Sequence, residues 1–532
     1  MIVFRVNGSN SSGIGHIKRA IKLANSLKKK YKIVFLVDAI QNLPRHFVPS
    51  SFKIVEVYPQ KSQYISEEGD ANLCINILES ESKISAVVVD DYRFSKVWEK
   101  IIRKNLTPNL CAFDDRGDVE HCCSVLVDSK YDGRGSSTRY EGKTNPECIK
   151  LLGPNYFFSP QRVKDEYDDN RDKRSVLITL GGGGNLEIML PVINKLLDDI
   201  DREELKKIYL IEGPFSENAE KIKRIIKDSR LIIIKNAPDL TEYLTDVSVY
   251  IGSSGTTLFE ALSLGCSCLS FSIAQNQLND KKNLEDLGHY FHINNFENCN
   301  KNDFALLCKN FYLKRERIKE LQKSANVKLD EFGVERVSNQ LQTLIRGDDK
   351  VVPMQHKYKE KDKKGAFSKK NDKSFRKIND KDVNAYLYAR NLKKNSDNMT
   401  INSLIPEVEH YNWWLTNERE SYVMEHNGKP ILYIWHQTKI VDSELYLFGG
   451  WFIASEKISP LDVMLALKYQ LNLTNKTYPN VTWLAIIKKT NKFVKKLNEK
   501  YGFKMTSNEK FEIAIEKIFN KVDKNSFDFY YK

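Results

Sequence analysis

The chain has 532 residues, 41% hydrophobic and 29% charged, a mix that excludes a fibrous or wholly disordered protein and is long enough for about three domains. Its formal charge of +13 invites a nucleic-acid or membrane-surface partner. However, 12 Lys or Arg against 4 Asp or Glu lie between Lys350 and Lys381, so most of the excess sits in one polar segment that reads as a solvated linker, and neither partner is expected.

At the N-terminus, "MIVFRVNGSN" is too short in apolar residues for a signal peptide, and no window approaches 18 uninterrupted apolar residues. The nine cysteines show no finger spacing, which predicts reduced thiols, a cytoplasmic location and no metal. "IVFRV" reads as a first strand and "NGSNSSGIG" as a loop. "IKRAIKLANSLKKK" places Ile17, Ala20, Ile21, Ala24 and Leu27 at helical spacing. His16 thus falls at or near a helix N-terminus, where the positive end of the helix disfavours its protonated form. A neutral imidazole there can take a proton from water as a general base, or it can cap the helix or hydrogen-bond a phosphate.

Further strands are predicted at 32–38, 86–91, 110–115 and 124–129, each ending in a polar or acidic residue. A polar stretch near 155–172 precedes a second series at 175–180, 207–213, 230–236, 247–253 and 267–273. Apolar strands alternating with helices imply parallel sheets covered on both faces, with ligands at the carboxyl ends of the strands. The predicted domains are 1–165 and 166–346, both Rossmann-like, a basic linker 347–381, and an α+β domain 382–532. In the second series the run Gly252-Ser253-Ser254-Gly255-Thr256-Thr257 opens a helix containing Glu260. Small residues and hydroxyls at a helix start cradle an anion, and Glu260 can accept from ribose hydroxyls. The same pattern also suits a capped helix with a buried Glu. "LGGGGN" (180–185) is a second flexible loop but not a Walker loop, because no Gly-Lys-Ser/Thr follows.

Residues 1 to about 340 carry "GIGHIKRAIKLANSL", "VVVDDYRFSKVWEK", "CAFDDRGDVEHCCSVLVD", "LLGPNYFF", "LGGGGN", "IGSSGTTLFEALSLG" and "AQNQ" in that order. This stretch resembles the UDP-sugar hydrolases of nonulosonic (pseudaminic-type) acid biosynthesis, which release UDP from UDP-2,4-diacetamido-2,4,6-trideoxy-altrose. They are relatives of the MurG-type GT-B glycosyltransferases. The resemblance implies a GT-B arrangement, no cofactor for the hydrolase, and His16 as the base activating water at the anomeric carbon. It further implies that Gly13, Gly15, Arg19, Asp91, Tyr92, Asn276 and Gln277 face the amino-sugar substrate. UDP would be held by Gly182, Gly183, Ser253, Ser254, Gly255, Thr256, Thr257 and Glu260. A glycosyltransferase passing the sugar to an alcohol, and a nucleotide-sugar-binding protein without turnover, share these features.

After the linker, the sequence predicts a helix, a polar loop, a helix ending in Trp413-Trp414, and a hairpin closed by the Asn-Gly of "HNGKP". A strand "ELYLFGGWFI", a helix "SPLDVMLALKYQLNL", a strand "VTWLAIIKK" and "NKFVKKLNEKYGF" follow. This part resembles the GNAT acyltransferases that acylate the 4-amino group of UDP-amino sugars. The resemblance implies acetyl-CoA as cosubstrate, with Asn491 contacting it. The pyrophosphate loop of that family is glycine-rich, whereas "ASEKISPLDVM" contains no glycine, leaving Ser455, Lys457 and Ser459 at the helix start to compensate. Asn498 stands where a tyrosine often acts as general acid. The alternative is a fold retained for substrate binding or dimerisation.

Overall fold

The structure, a computed structural model, describes all residues except 8–13, 41–47, 59–63, 65, 82, 134–137, 161–172, 236, 274–279, 348–372, 520–522 and 524. It divides into two compact units, Met1–Glu360 and Lys361–Lys532.

The first unit is built on two parallel sheets. β1 (Ile2–Val6), β2 (Ile33–Val37), β3 (Lys53–Glu56), β4 (Ala86–Asp90), β5 (Leu110–Phe113), β6 (Val125–Asp128) and β7 (Ile149–Leu152) lie in the order 3-2-1-4-5-6-7. Every neighbouring pair is parallel. The winding reverses between β1 and β4, where Val6 stands opposite Asp90. One face of this sheet (Phe4, Val6, Val88) buries Ile17, Ala20, Leu23 and Ala24 of the helix Gly15–Leu27. The same core receives Val337 and Leu341 of the helix Gly333–Arg346. The last helix of the stretch assigned to the second domain therefore serves the first sheet, a correction to the 165/166 division. Its i, i+4 apolar pair shows that the helix is amphipathic, but not which sheet it covers.

The second sheet comprises β8 (Ser175–Thr179), β10 (Lys207–Glu212), β12 (Leu231–Lys235), β13 (Val249–Ser253), β14 (Ser267–Phe271) and β15 (His292–Ile293), in the order 12-10-8-13-14-15. A small parallel ribbon of β9 (Gly183–Asn185) and β11 (Phe215–Glu217) stands beside it. Here the winding reverses between β8 and β13. In open α/β sheets such switch points form the crevices that take ligands. The loops after β1, β8 and β13 are the three that the sequence singled out.

The second unit is a mixed sheet of β16 (Lys373–Lys377), β17 (Glu420–His426), β18 (Lys429–Val441), β19 (Glu444–Ile453), β20 (Thr482–Lys488), β21 (Lys504–Met505) and β22 (Phe527–Tyr531). The order is 16-17-18-19-20-22-21. Asn427 and Gly428, both at positive φ (53° and 71°), close the β17–β18 hairpin as their sequence predicts. The single parallel pair, β19–β20, is joined only along Tyr446–Phe448 and Thr482–Leu484. Beyond those residues the two strands part. β16 lies inside the stretch read as linker and corrects it. Phe375 stacks on Tyr469 at 4.0 Å, and Arg376 binds Asp382 at 2.8 Å, so three charges in five residues concealed a paired edge strand.

Candidate active site

His16 is the second residue of the helix Gly15–Leu27 and is 7% exposed. Its Nδ1 lies 2.6 Å from Oδ1 of Asp90 at the carboxyl end of β4. Arg19, one turn further along the helix, donates to both oxygens of the same carboxylate at 2.7 Å. Tyr92 meets the His16 ring edge-on at 4.6 Å and donates its hydroxyl to Asp115 at 2.7 Å. Among the described residues, Nε2 of His16 makes no hydrogen bond.

Burial opposes a charge on either partner, yet their mutual attraction prevails. Asp90 is held far below the usual carboxylate range by Arg19 and His16. Burial pushes the His16 pKa down, but Asp90 outweighs it and the pKa is raised above the ordinary 6.5. This reverses the expectation from the helix end alone, because a carboxylate at contact distance outweighs a partial charge on the helix axis. An Asp–His pair of this kind fixes the tautomer. With Nδ1–H donating to Asp90, the neutral ring presents Nε2 as its acceptor.

Three loops converge on this point. A Cβ placed on Gly15 would lie 3.5 Å from Oγ1 of Thr256, and one on Gly182 would lie 3.4 Å from Ile14. Gly181 turns with φ +86°, and a Cβ there would approach Ser253 Oγ to 3.1 Å. Beneath that turn, a Cβ on Gly213 would stand 2.4 Å from the Gly181 carbonyl, so only glycine fits. The Ser253 hydroxyl is buried without a hydrogen-bond partner among the described residues. Thr256 and Thr257 open the helix Thr256–Ser263, preceded by Gly255. On this helix the buried Glu260 accepts from Lys22 Nζ at 2.6 Å, which links the helices that follow β1 and β13.

The structure thus gathers Gly15, His16, Arg19 and Tyr92 with Gly182, Ser253, Gly255 and Thr256. Gly183 belongs to β9, and its would-be Cβ meets Phe215 at 2.8 Å. Ser254 bonds the Phe271 carbonyl through its backbone at 2.9 Å. Asp91 does not join the group. Its carboxylate accepts from Arg93 at 2.6 and 2.9 Å and from Asn7 at 3.4 Å, on the opposite side of the chain from Asp90. Gly13, Asn276 and Gln277 lie outside the described residues. Asp90 was missed, although strand alternation marks it: Ala86 and Val88 face the first helix, and Asp90 is next in that series.

Of the residues assigned to acetyl-CoA, Asn491 lines a cavity of about 770 Å³ that opens where β19 and β20 part, whereas Ser455 and Lys457 do not line it. Glu99, His121 and Cys123 bring possible metal-ligand atoms within 4.8 Å of one another. Both His121 nitrogens, however, are engaged by carboxylates, Glu99 at 2.6 Å and Asp114 at 3.2 Å. Burial opposes the charge, but these two partners raise the His121 pKa to about 9, the signature of a buried imidazolium held between anions. Among the described residues, no helix is long and apolar enough to cross a membrane.

No family model matches the chain. It is 25% identical over 276 residues to an uncharacterised protein of Methanocaldococcus jannaschii, a match covering 50% of this chain and 54% of that protein. It therefore spans about half the length of that relative. It is 23% identical over 278 residues, covering 52% of the chain and 93% of the relative, to the UDP-2,4-diacetamido-2,4,6-trideoxy-beta-L-altropyranose hydrolase of Campylobacter jejuni. The spore coat polysaccharide biosynthesis protein SpsG of Bacillus subtilis is 22% identical over 291 residues, covering 53% and 80%. Among solved structures, Acinetobacter baumannii MurG (15% identity, TM-score 0.43) aligns over 64% of this chain and 99% of its own. An S. aureus MnaA–UDP structure (13% identity, TM-score 0.42) aligns over 65% and 97%.

Proposed function

We propose that the first unit is a UDP-sugar hydrolase whose substrate is a UDP-2,4-diacetamido-2,4,6-trideoxyhexose. The observation that carries this reading is the His16–Asp90 pair, with Nε2 making no hydrogen bond among the described residues and Gly182 and Thr256 close to Ile14 and Gly15 beside it. The similarity to the Campylobacter hydrolase supports the choice of substrate. Water attacks the anomeric carbon and gives its proton to Nε2 of His16. The bond from that carbon to the β-phosphate oxygen breaks, and its electron pair leaves with UDP. Asp90 stabilises the imidazolium that forms. The unpaired Ser253 hydroxyl and the backbone around Gly255 and Thr256 supply donors for the charge that builds on the diphosphate. Glu260 accepts from the ribose once its bond to Lys22 yields.

The second unit is read as an N-acyltransferase that uses acetyl-CoA and acts on the 4-amino group of the same class of sugar. The parted β19–β20 pair, the cavity it opens and Asn491 on the cavity wall support this reading. Asn498 is also on that wall, so the leaving thiolate takes its proton from a group other than the tyrosine of the resembling enzymes.

The test is UDP release, followed by phosphorus NMR without any acceptor alcohol, in the intact chain and in His16→Ala. General-base loss predicts a fall of about 10²–10⁴-fold. Release only when an alcohol is added would replace the hydrolase with a glycosyltransferase, and an undiminished His16→Ala would remove the base.

A further inference from the structure

The cavity of the second unit carries Arg390, Lys394, Arg419 and Lys488 on its wall, against Glu409. Two of these cations are half-buried. Among the described residues, Nη1 of Arg390 and Nε of Arg419 are buried with no hydrogen-bond partner, while the Tyr386 hydroxyl on the same wall interacts with Arg419 and Ser421. Arg390 spends one N–H on the Ile401 carbonyl at 2.7 Å. The Arg419 guanidinium lies 3.7 Å from the Trp435 ring centre and 5.3 Å from that of Trp413. Among the described residues, neither arginine forms an ion pair.

Burying a guanidinium without an anion is unfavourable. Aromatic faces compensate for part of the charge but leave the N–H donors unmet. An anionic ligand meets that demand. Two rigid forks and a surplus of positive charge suit phosphate oxygens bound in pairs. The volume of about 770 Å³ lies within the roughly 300–1,000 Å³ of pockets that enclose a whole organic ligand, well beyond a lone small anion.

We infer that Arg390 and Arg419 are the anion-binding pair of this cavity and take the diphosphate of a nucleotide. The acyl-transfer reading enters only in naming the two nucleotides with that chemistry, a UDP-linked amino sugar and coenzyme A. The pair itself follows from the unmet donors.

Four of the six tryptophans, Trp413, Trp435, Trp451 and Trp483, line the cavity, while Trp98 is fully buried in the first unit. Intrinsic fluorescence therefore reports on this site in the full chain. The experiment titrates UDP and, separately, coenzyme A into the parent, Arg390→Gln and Arg419→Gln, with inorganic diphosphate as competitor. The expected result is a saturable quench by one nucleotide, displaced by diphosphate and weakened at least tenfold in Kd by each substitution. A response to UDP assigns the pair to the acceptor, and a response to coenzyme A assigns it to the donor. Arg419→Gln should melt no lower than the parent, because it removes a half-buried charge that no anion balances. No saturable quench with either nucleotide, or unchanged Kd with a lowered Tm, overturns the inference. Binding that is followed by no acetylated product when acetyl-CoA and a UDP-linked 4-amino sugar are supplied together would instead sink the acyl-transfer reading and leave the anion site standing.

Discussion

Asp90→Asn separates the two influences on His16. In the parent, the buried carboxylate accepts from His16 and twice from Arg19. A hydrogen bond to a charged group contributes about 1.5–3 kcal/mol. Its loss removes the attraction that raises the His16 pKa. Burial, the largest opposing influence, then dominates, and the pKa falls from above 6.5 to below it. The assay is kcat/KM for UDP release between pH 4.5 and 9. In the parent, activity should rise with pH through an apparent pKa above 6.5, because only the neutral ring accepts a proton. In the variant that limb moves to lower pH. The plateau also falls by about 10²–10⁴-fold, because tautomer control and imidazolium stabilisation are lost together. Arg19 is left with Asp115 at 3.9 Å, so the variant should also lose about 3–5 kcal/mol of stability. A limb that stays in place would show that the titrating base is not His16 or that Asp90 does not govern it, and the mechanism would fall.

His121→Gln should destabilise the first unit by about 3 kcal/mol near pH 6, from a rise of about 2.5 units at about 1.4 kcal/mol each. Its folded pKa of about 9 is raised, so that stability is complete below pH 6.5 and fades as pH rises toward 9. Melts at pH 6 and pH 10 should show the gap between parent and variant closing, and a constant gap would deny the buried imidazolium. Lys22→Met frees Glu260, so the KM for the UDP-sugar should fall or hold while kcat is little changed. A tenfold rise in KM would make Lys22 part of the substrate site. Gly213→Ala forces a methyl into the Gly181 carbonyl and should weaken UDP binding at least tenfold in calorimetry. Unaltered affinity would show that the Gly181–Gly182 turn does not hold the diphosphate.

Much of this arrangement is legible in the chain, and what is not shares a physical cause. The central strands β1, β2, β4, β8, β10 and β13 are largely apolar, interrupted in β1 by the buried Arg5, because parallel strands are covered on both faces. By contrast, β3, β7 and β16 sit at or next to sheet edges with mixed sequences, where one unpaired or solvated side relaxes the pattern. The three loops could be read because glycine and hydroxyl runs are local features. The acids around them could not be sorted in the same way. Asp90 and Asp91 are adjacent in sequence and equal in chemistry, and the pleat alone sends one to His16 and the other to Arg93. A reading that carries strand parity through to its last residue recovers Asp90. Arg390 and Arg419 lie beyond any such rule. They are 29 residues apart, one on the helix Val383–Arg390 and the other in the loop before β17, and each alone is an ordinary surface cation. Only folding puts both against one wall with donors unmet. The information for a single site residue can thus be local, while the information for a demand shared between two residues exists only in the folded chain.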